Sequence, residues 1–319
     1  MIPVILDTDL GGDIDDHWAL VMLLGCPELD LRLVTTVTGD PTYRAQVTSG
    51  ILKTAGRSDV PIGVGLAGRH QSGKPLGSNA SRNPLGAYPG VVFEDGVDAL
   101  VEAVVSSPEP VTIIATGGWT NLAAALDREP GIADNARVVA MFGSVREGYE
   151  PDSAPTQEAN VGFDIPAAQK VLAAQWEVLI APLDSCASVV LDGERYAAVR
   201  NAHTPLTDAL FDAYLEWCGQ VPGLLLASST DEEQEKLRHE LTERFETTST
   251  ILYDTVPVHL AYSTALAVVE RLPIAVDDDG MTRIREGARE VQVATGWVDK
   301  DAFLDHLVER LTSDRQAPA

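Results

Sequence analysis

Short β-branched runs alternate with longer amphipathic stretches along this chain, and that rhythm limits its fold more than any other feature. Residues 4–6, 31–37, 111–115, 138–142 and 176–181 read as strands, and residues 18–24, 45–55, 96–105, 120–126 and 165–173 between them read as helices. Near the C-terminus, "VQVATGWVDKDAFLDHLVERL" reads as a last strand, a turn and a closing amphipathic helix. Repeated βαβ units build an α/β fold, an open, mostly parallel sheet with helices on both faces. Ligands of such sheets sit beyond the carboxyl ends of the strands. Four strand ends lead into polar or glycine-rich turns: Asp7 to Asp9, Thr38-Gly39-Asp40, Thr116-Gly117-Gly118 and Gly143-Ser144.

The apolar share, 45% of 319 residues, suffices for one large core, and no repeat or linker divides the chain. A single domain over 1–319 is expected, with a long loop at about 66–91 and a partly helical lid at about 205–250. The 48 acidic residues outnumber 23 basic ones, and a net charge of −25 repels phosphate backbones and anionic lipid. Nucleic acid and membranes are therefore excluded as expected partners. No apolar run approaches a bilayer span of roughly 20 residues, and strand-like sequence starts at Ile2, so a cytoplasmic location is expected. Cys26, Cys186 and Cys218 are too few and too scattered for a disulfide framework or a thiolate metal site and read as small buried residues.

Within "VILDTDLGGDIDDHWALVML", Asp7, Asp9, Asp13, Asp15 and Asp16 crowd the turn between the first strand and first helix. Capping a helix start accounts for one or two of them. Five neighbouring carboxylates repel one another unless a cation neutralises them, and an all-oxygen acidic set suits a hard cation, Ca²⁺ or Mg²⁺. An EF-hand is excluded, because a strand precedes the loop and its twelfth place is Trp18 instead of a bidentate Glu. "ILDTDLGG" also resembles the aspartyl-phosphate motif of haloacid-dehalogenase-type phosphohydrolases, Mg²⁺ enzymes with Asp7 as nucleophile, but that reading leaves Asp13, Asp15 and Asp16 without a role.

The whole string Asp7 to Asp16, followed by Ala19-Leu20, resembles the N-terminal signature of the nucleoside hydrolase family, the inosine-uridine preferring nucleoside N-ribohydrolases. The resemblance continues in order through "VTTVTGD" (34–40), "ATGGWTNLA" (115–123), "MFGSV" (141–145), "QEANVGFDIPAA" (157–168) and "YDTVPV" (253–258). It implies the Rossmann-like fold of that family and Ca²⁺-dependent hydrolysis of a ribonucleoside, or a close N-riboside, to ribose and free base. It further implies a Ca²⁺ held by Asp9, Asp16, the Thr120 carbonyl and Asp254. Asp9 would serve as general base, Asp15, Asp40, Glu158 and Asn160 would contact the sugar, and Asp7 would brace the motif from behind. A homodimer or homotetramer is implied as well.

The chain departs from the family pattern at three places. Asp40 and Asp152 stand where many members carry asparagine, and Tyr253 replaces the histidine associated with protonating a purine. The leaving-group contact thus falls to Tyr253 or to His239 and Glu240 in the presumed lid. His17 reads as an exposed helix residue and His259 as a packed one. Trp18 and Trp119 read as core filling or as base-stacking surfaces. A ribose or nucleoside sensor that has lost the acid is the non-enzymatic alternative.

Overall fold

The computed structural model describes residues 1–69 and 83–313; residues 70–82, half of the expected loop at 66–91, lie outside the described residues. Ten strands form one sheet: β1 (Ile2–Thr8), β2 (Leu29–Thr36), β3 (Ile62–Val64), β4 (Val92–Phe93), β5 (Val111–Ala115), β6 (Ala136–Met141), β7 (Glu177–Ala181), β8 (Ala267–Val276), β9 (Thr282–Ile284) and β10 (Glu290–Trp297). Their order is β4-β3-β2-β1-β5-β6-β7-β10-β8-β9. The pairings from β4 across to β10 are parallel, and only β8 and β9 run antiparallel to their neighbours. The α/β sheet expected from the alternation is present. The β8–β9 hairpin was missed because β8 mixes Glu270, Arg271 and Pro273 with its apolar residues and is half exposed at the sheet margin, although Asp279-Gly280, with Gly280 at φ 75°, marks its turn.

Side-chain alternation along β1 sends Val4 and Leu6 into one core and Ile5 into the other, so the sheet is buried on both faces. The first core takes apolar residues from helices Asp15–Leu24, Pro41–Thr54, Pro205–Leu225, Thr255–Leu260 and Lys300–Leu311. The second takes them from Gly96–Val105, Thr120–Arg128 and Ile165–Ala173. Each fully buried Leu, Ile or Phe contributes about 1.5–3 kcal/mol of transfer free energy. Trp119, wholly enclosed, stacks on Phe142 at 3.8 Å, and Trp18 meets Phe211 edge to face, so both are core residues. The three cysteines are buried, as expected.

Helices expected at 96, 120 and 165 begin there, but two others start earlier than apolar periodicity suggests, because their first turns are polar. Asp15 and Asp16 open the first helix, where carboxylates meet the positive end of the backbone dipole. Pro41 opens the second, after Asp40 has capped it by accepting from the Tyr43 N–H at 3.0 Å. Between residues 205 and 250 lie helices Pro205–Leu225 and Asp231–Phe245, the latter begun by a reciprocal Thr230–Glu233 capping box.

The connections that follow β1 and β5 leave in opposite directions along the sheet, one towards β2 and the other towards β6. This switch point opens a crevice at the carboxyl ends of two adjacent strands.

Candidate active site

The crevice lies where the sequence concentrates its charge. A cavity of about 390 Å³ sits over the ends of β1 and β5, lined by Asp9, Asp13, Asp15 and Asp16 from the first turn, by Thr116 after β5, and by Asp254 at the start of helix Thr255–Leu260. Gly117 is needed here, because a Cβ would stand 3.0 Å from the Asp9 backbone nitrogen and 2.8 Å from Val37. The bare glycine lets the β5 turn close on the β1 turn.

Buried Asp15, Asp16 and Asp254 each offer a carboxylate oxygen, and these atoms all lie within 4.8 Å of one another. Asp16 Oδ1 accepts from the hydroxyls of Thr8 at 2.6 Å and Thr116 at 3.0 Å, which fixes its orientation. Asp15 Oδ2 accepts from the Asp254 N–H at 3.3 Å, joining residues 239 positions apart. Burial first, and then repulsion by neighbouring carboxylates, pushes all three well above the usual carboxylate range. Hard oxygen donors in such mutual repulsion fit a divalent cation, which would neutralise them. Asp9 stands beside this trio and turns Oδ2 towards Arg44 Nη2 at 3.8 Å. Burial raises its pKa and the Arg44 guanidinium opposes the rise.

Glu158 and Asn160 approach from the other wall. Glu158 caps the short helix Ala159–Phe163: Oε1 accepts from the Asn160 N–H at 2.7 Å, and Oε2 from Gly143 at 3.0 Å and Val161 at 3.2 Å. Capping and lining the cavity are therefore the work of one side chain. Burial outweighs these donors and lifts its pKa to about 6. The Asn160 amide donates to the carbonyls of Thr116 at 3.2 Å and Met141 at 3.1 Å. Asn160 is thereby tied to the ends of β5 and β6.

Apolar and aromatic side chains close the rest of the cavity: Tyr149, Phe163, Trp217, Val221, Leu225 and Tyr253. Tyr253 meets Tyr149 edge to face at 6.1 Å, and burial raises its phenol pKa above the ordinary value, so it is a neutral proton donor at pH 7. The Tyr149 hydroxyl accepts from the Ala159 N–H at 2.9 Å, which leaves its own proton to donate. Tyr149 was missed in the sequence, where counting back from Glu158 points to Asp152. Asp152 is exposed, at φ 58°, and does not line the cavity. Trp217, Val221 and Leu225 were missed because their helical spacing is also that of ordinary core packing.

Four expected site residues are placed elsewhere or differently. Asp40 is exposed and serves as the cap of helix Pro41–Thr54, outside the cavity lining. His239 and Glu240 face solvent on helix Asp231–Phe245, paired along it with Glu243 at 3.2 Å and Lys236 at 3.8 Å. The helix that reaches the cavity is Pro205–Leu225, because its apolar stripe packs inward while Asp231–Phe245 is charged nearly all round. Thr120 begins helix Thr120–Arg128, and its hydroxyl donates to Asp164 at 2.9 Å, leaving only its main chain for the role expected of it.

His17, expected at the surface, is buried instead, with its pKa lowered to about 4 by that burial. Helices Pro41–Thr54 and Pro205–Leu225 come alongside it at a second cleft of about 720 Å³. That cleft is larger than the first but holds none of the clustered carboxylates, so the chemistry belongs to the smaller cavity. Asp7 lies beneath the cavity floor, wholly enclosed, with Oδ1 accepting from Thr35 Oγ1 at 2.5 Å and Asn121 Nδ2 at 2.7 Å. Burial raises its pKa to about 7. An enclosed carboxyl so bonded has no approach for a phosphate, which overturns the phosphohydrolase reading.

Known proteins resemble this chain in sequence and in fold. The family model described as inosine-uridine preferring nucleoside hydrolase matches residues 4–305. A protein of Salmonella arizonae named pyrimidine-specific ribonucleoside hydrolase RihA is 31% identical over 235 residues, 68% of this chain and 72% of that protein. Among solved structures, a plant nucleoside hydrolase superposes with a TM-score of 0.76 at 22% identity, covering 98% of this chain and 99% of its own. The purine-preferring ribonucleoside hydrolase of Gardnerella vaginalis superposes at 0.74 with 22% identity, over 97% and 98% of the two chains.

Proposed function

The chain belongs to the inosine-uridine preferring nucleoside hydrolase family and is a hydrolase of N-glycosidic bonds, and from that premise we propose that it cleaves a ribonucleoside, or a close N-riboside, to ribose and free base with Ca²⁺ as its resident cation. The observation that carries this reading is the meeting of Asp15, Asp16 and Asp254 with Glu158 and Asn160 in one cavity. A sensor would need only the sugar contacts, and membership of a hydrolase family sets that alternative aside.

Asp9, Asp16, Asp254 and the Thr120 carbonyl would hold the cation, and Asp15 would contact the sugar. When bound, the cation supplies a Lewis-acidic centre that orients water and sugar hydroxyls and eases loss of the water's proton. Asp9 takes that proton as general base. Asp15 accepts hydrogen bonds from the 2′ and 3′ hydroxyls. Glu158 and Asn160 hold the ring, and the Glu158 carboxylate stabilises the positive charge that grows on it as the glycosidic bond breaks. Tyr253, neutral at pH 7, donates towards the departing base, and the apolar wall of Trp217, Val221 and Leu225 excludes water around it.

A panel of ribonucleosides assayed for free ribose, with and without chelator, tests the proposal. Uridine and cytidine head the panel because the Salmonella arizonae relative is named pyrimidine-specific. Ribose release that stops on chelation and returns with Ca²⁺ is the expected result; no release from any riboside would refute the proposal. Light scattering would test the homodimer or homotetramer that we also propose.

A further inference from the structure

Six carboxylates line the catalytic cavity, from Asp9, Asp13, Asp15, Asp16, Glu158 and Asp254, and among the described lining residues the single cationic side chain is Arg44. A divalent cation and that guanidinium together would offset only half of their charge. Five of the six are buried, and Asp13 alone is exposed. Asp13 also has no place among the residues proposed to hold the cation or the sugar. Its Oδ1 accepts from the Ile14 N–H at 2.7 Å, and its other oxygen takes no hydrogen bond among the described residues.

The surroundings of Asp13 are aromatic. Together with Trp217 it lines both the cavity and a narrow hollow beside it. Burial raises the pKa of the Tyr149 and Tyr253 phenols, and the charge of Asp13 is among those that add to the rise, so its field reaches both rings. The two rings meet at 89°, giving a corner of π faces. A carboxylate near such a corner suits a flat organic cation, which gains from the negative ring faces and from the charge. Among the described residues the cavity lining holds no histidine, lysine or cysteine, so the donors on its aromatic side are phenols of raised pKa.

We propose that the preferred substrate carries its positive charge already: an N-ribosylpyridinium, whose ring lies between Asp13 and the corner formed by Tyr149 and Tyr253. This rests on the function proposed above and names the class of its leaving group. As the C1′–N bond breaks, its electron pair neutralises the ring nitrogen, and the pyridine departs without a proton. The water oxygen bonds to C1′ and gives its proton to Asp9, so ribose, a neutral pyridine and one proton are formed. A neutral nucleoside depends on the weak acidity of Tyr253, whereas a pyridinium does not. A phosphorylated riboside would bring further negative charge into an anionic cavity and be repelled.

The test measures ribose release from nicotinamide riboside and from uridine by the Ca²⁺-loaded protein, in wild type and Asp13→Asn. The asparagine keeps an acceptor for the Ile14 N–H and removes the charge. Wild type is expected to show the higher kcat/KM for nicotinamide riboside, and Asp13→Asn to lower the ratio of the two substrates' kcat/KM about tenfold, chiefly through KM for the pyridinium. A second measurement needs no variant: 1-methylnicotinamide, a cation, should inhibit wild-type ribose release about fivefold more strongly than neutral nicotinamide. If Asp13→Asn does not fold, that comparison decides alone. The proposal would be overturned by equal inhibition, by a substrate ratio within about twofold of wild type in the variant, or by a variant that loses more on uridine, which would make Asp13 an acid for neutral bases. Uridine cleaved while nicotinamide riboside is not would overturn it too and leave the proposed function standing. Release of ribose from neither riboside would refute the proposed function itself.

Discussion

The Asn121 amide nitrogen lies 2.7 Å from Asp7 Oδ1, a hydrogen bond between residues 114 positions apart that ties the floor of the catalytic cavity to the helix after β5. The same nitrogen donates to the Thr36 carbonyl at 3.1 Å, and Asn121 Oδ1 accepts from the Leu66 N–H at 2.9 Å. One buried amide therefore joins β1, β2, the segment after β3 and the helix Thr120–Arg128. Replacing it by an apolar side chain of similar size, Asn121→Leu, would strand the Leu66 N–H and take one of two donors from the buried Asp7 carboxyl and from the Thr36 carbonyl, leaving them Thr35 and the Gly65 N–H. Urea denaturation of the variant should show a loss of about 3–5 kcal/mol; a loss under about 1 kcal/mol would mean the network is not structural.

Metal dependence follows from the repulsion among Asp15, Asp16 and Asp254. Asp254→Asn and Asp16→Asn should each weaken Ca²⁺ binding at least tenfold or so and lower kcat by about 100-fold or more. Full activity after exhaustive chelation would falsify the metal assignment.

The stability of the metal-free protein should fall as pH rises. Burial raises Asp7 from its ordinary 3.8 to about 7 and Glu158 from 4.5 to about 6. Between those limits the native state holds carboxyl protons that the unfolded chain has released. Buried His17 and His259, lowered to about 4, act the other way below the ordinary histidine range, but the strongly raised Asp15, Asp16 and Asp254 add to the carboxyl side, so the native state loses ground as pH rises. Melting of the metal-stripped protein should give a higher Tm at pH 5 than at pH 7.5, and added Ca²⁺ should narrow or reverse the gap because its ligands must be deprotonated. A metal-free Tm that climbs steadily from pH 5 to 7.5 would contradict the raised carboxyls.

If Asp15 and the cation both engage the sugar diol, 2′-deoxynucleosides leave those groups unpaired. Uridine should exceed deoxyuridine in kcat/KM by about 10²-fold or more. Equal rates would remove Asp15 from the sugar.

For the leaving group, a buried phenol is a weaker acid than the histidine it replaces, whereas Asp15, Glu158 and Asn160 all line the cavity. p-Nitrophenyl riboside, which needs no proton to depart, should therefore be cleaved much faster than inosine. Tyr253→Phe should slow nucleosides about tenfold and spare the nitrophenyl substrate. Should both substrates ignore that change, Tyr149 is the next residue to replace, since its hydroxyl proton is free and its ring adjoins Tyr253. His239 and Glu240 are not, because they point into solvent.

What the sequence by itself determined about this protein is what local pattern encodes. Side chains alternate along a strand and recur every 3.6 residues on a helix, so β-branched runs and amphipathic stretches were legible as a parallel sheet with helices on both faces. Five aspartates in ten residues announce a cation site because like charges repel whatever surrounds them. The ordered motifs identified the family. Tertiary structure alone decided which side chains meet. Asp254 reaches Asp15 across 239 positions because helix Thr255–Leu260 packs under the carboxyl end of the sheet. Tyr149 faces the cavity where counting pointed to Asp152, because the longer loop folds back to bond Ala159. Helix Pro205–Leu225 turns Trp217 inward while its charged neighbour carries His239 outward, since the rotation of a helix is set by what it packs against. Arg44, one arginine among many in the sequence, became the counter-charge of the site only when β1, β2 and their turns closed around it.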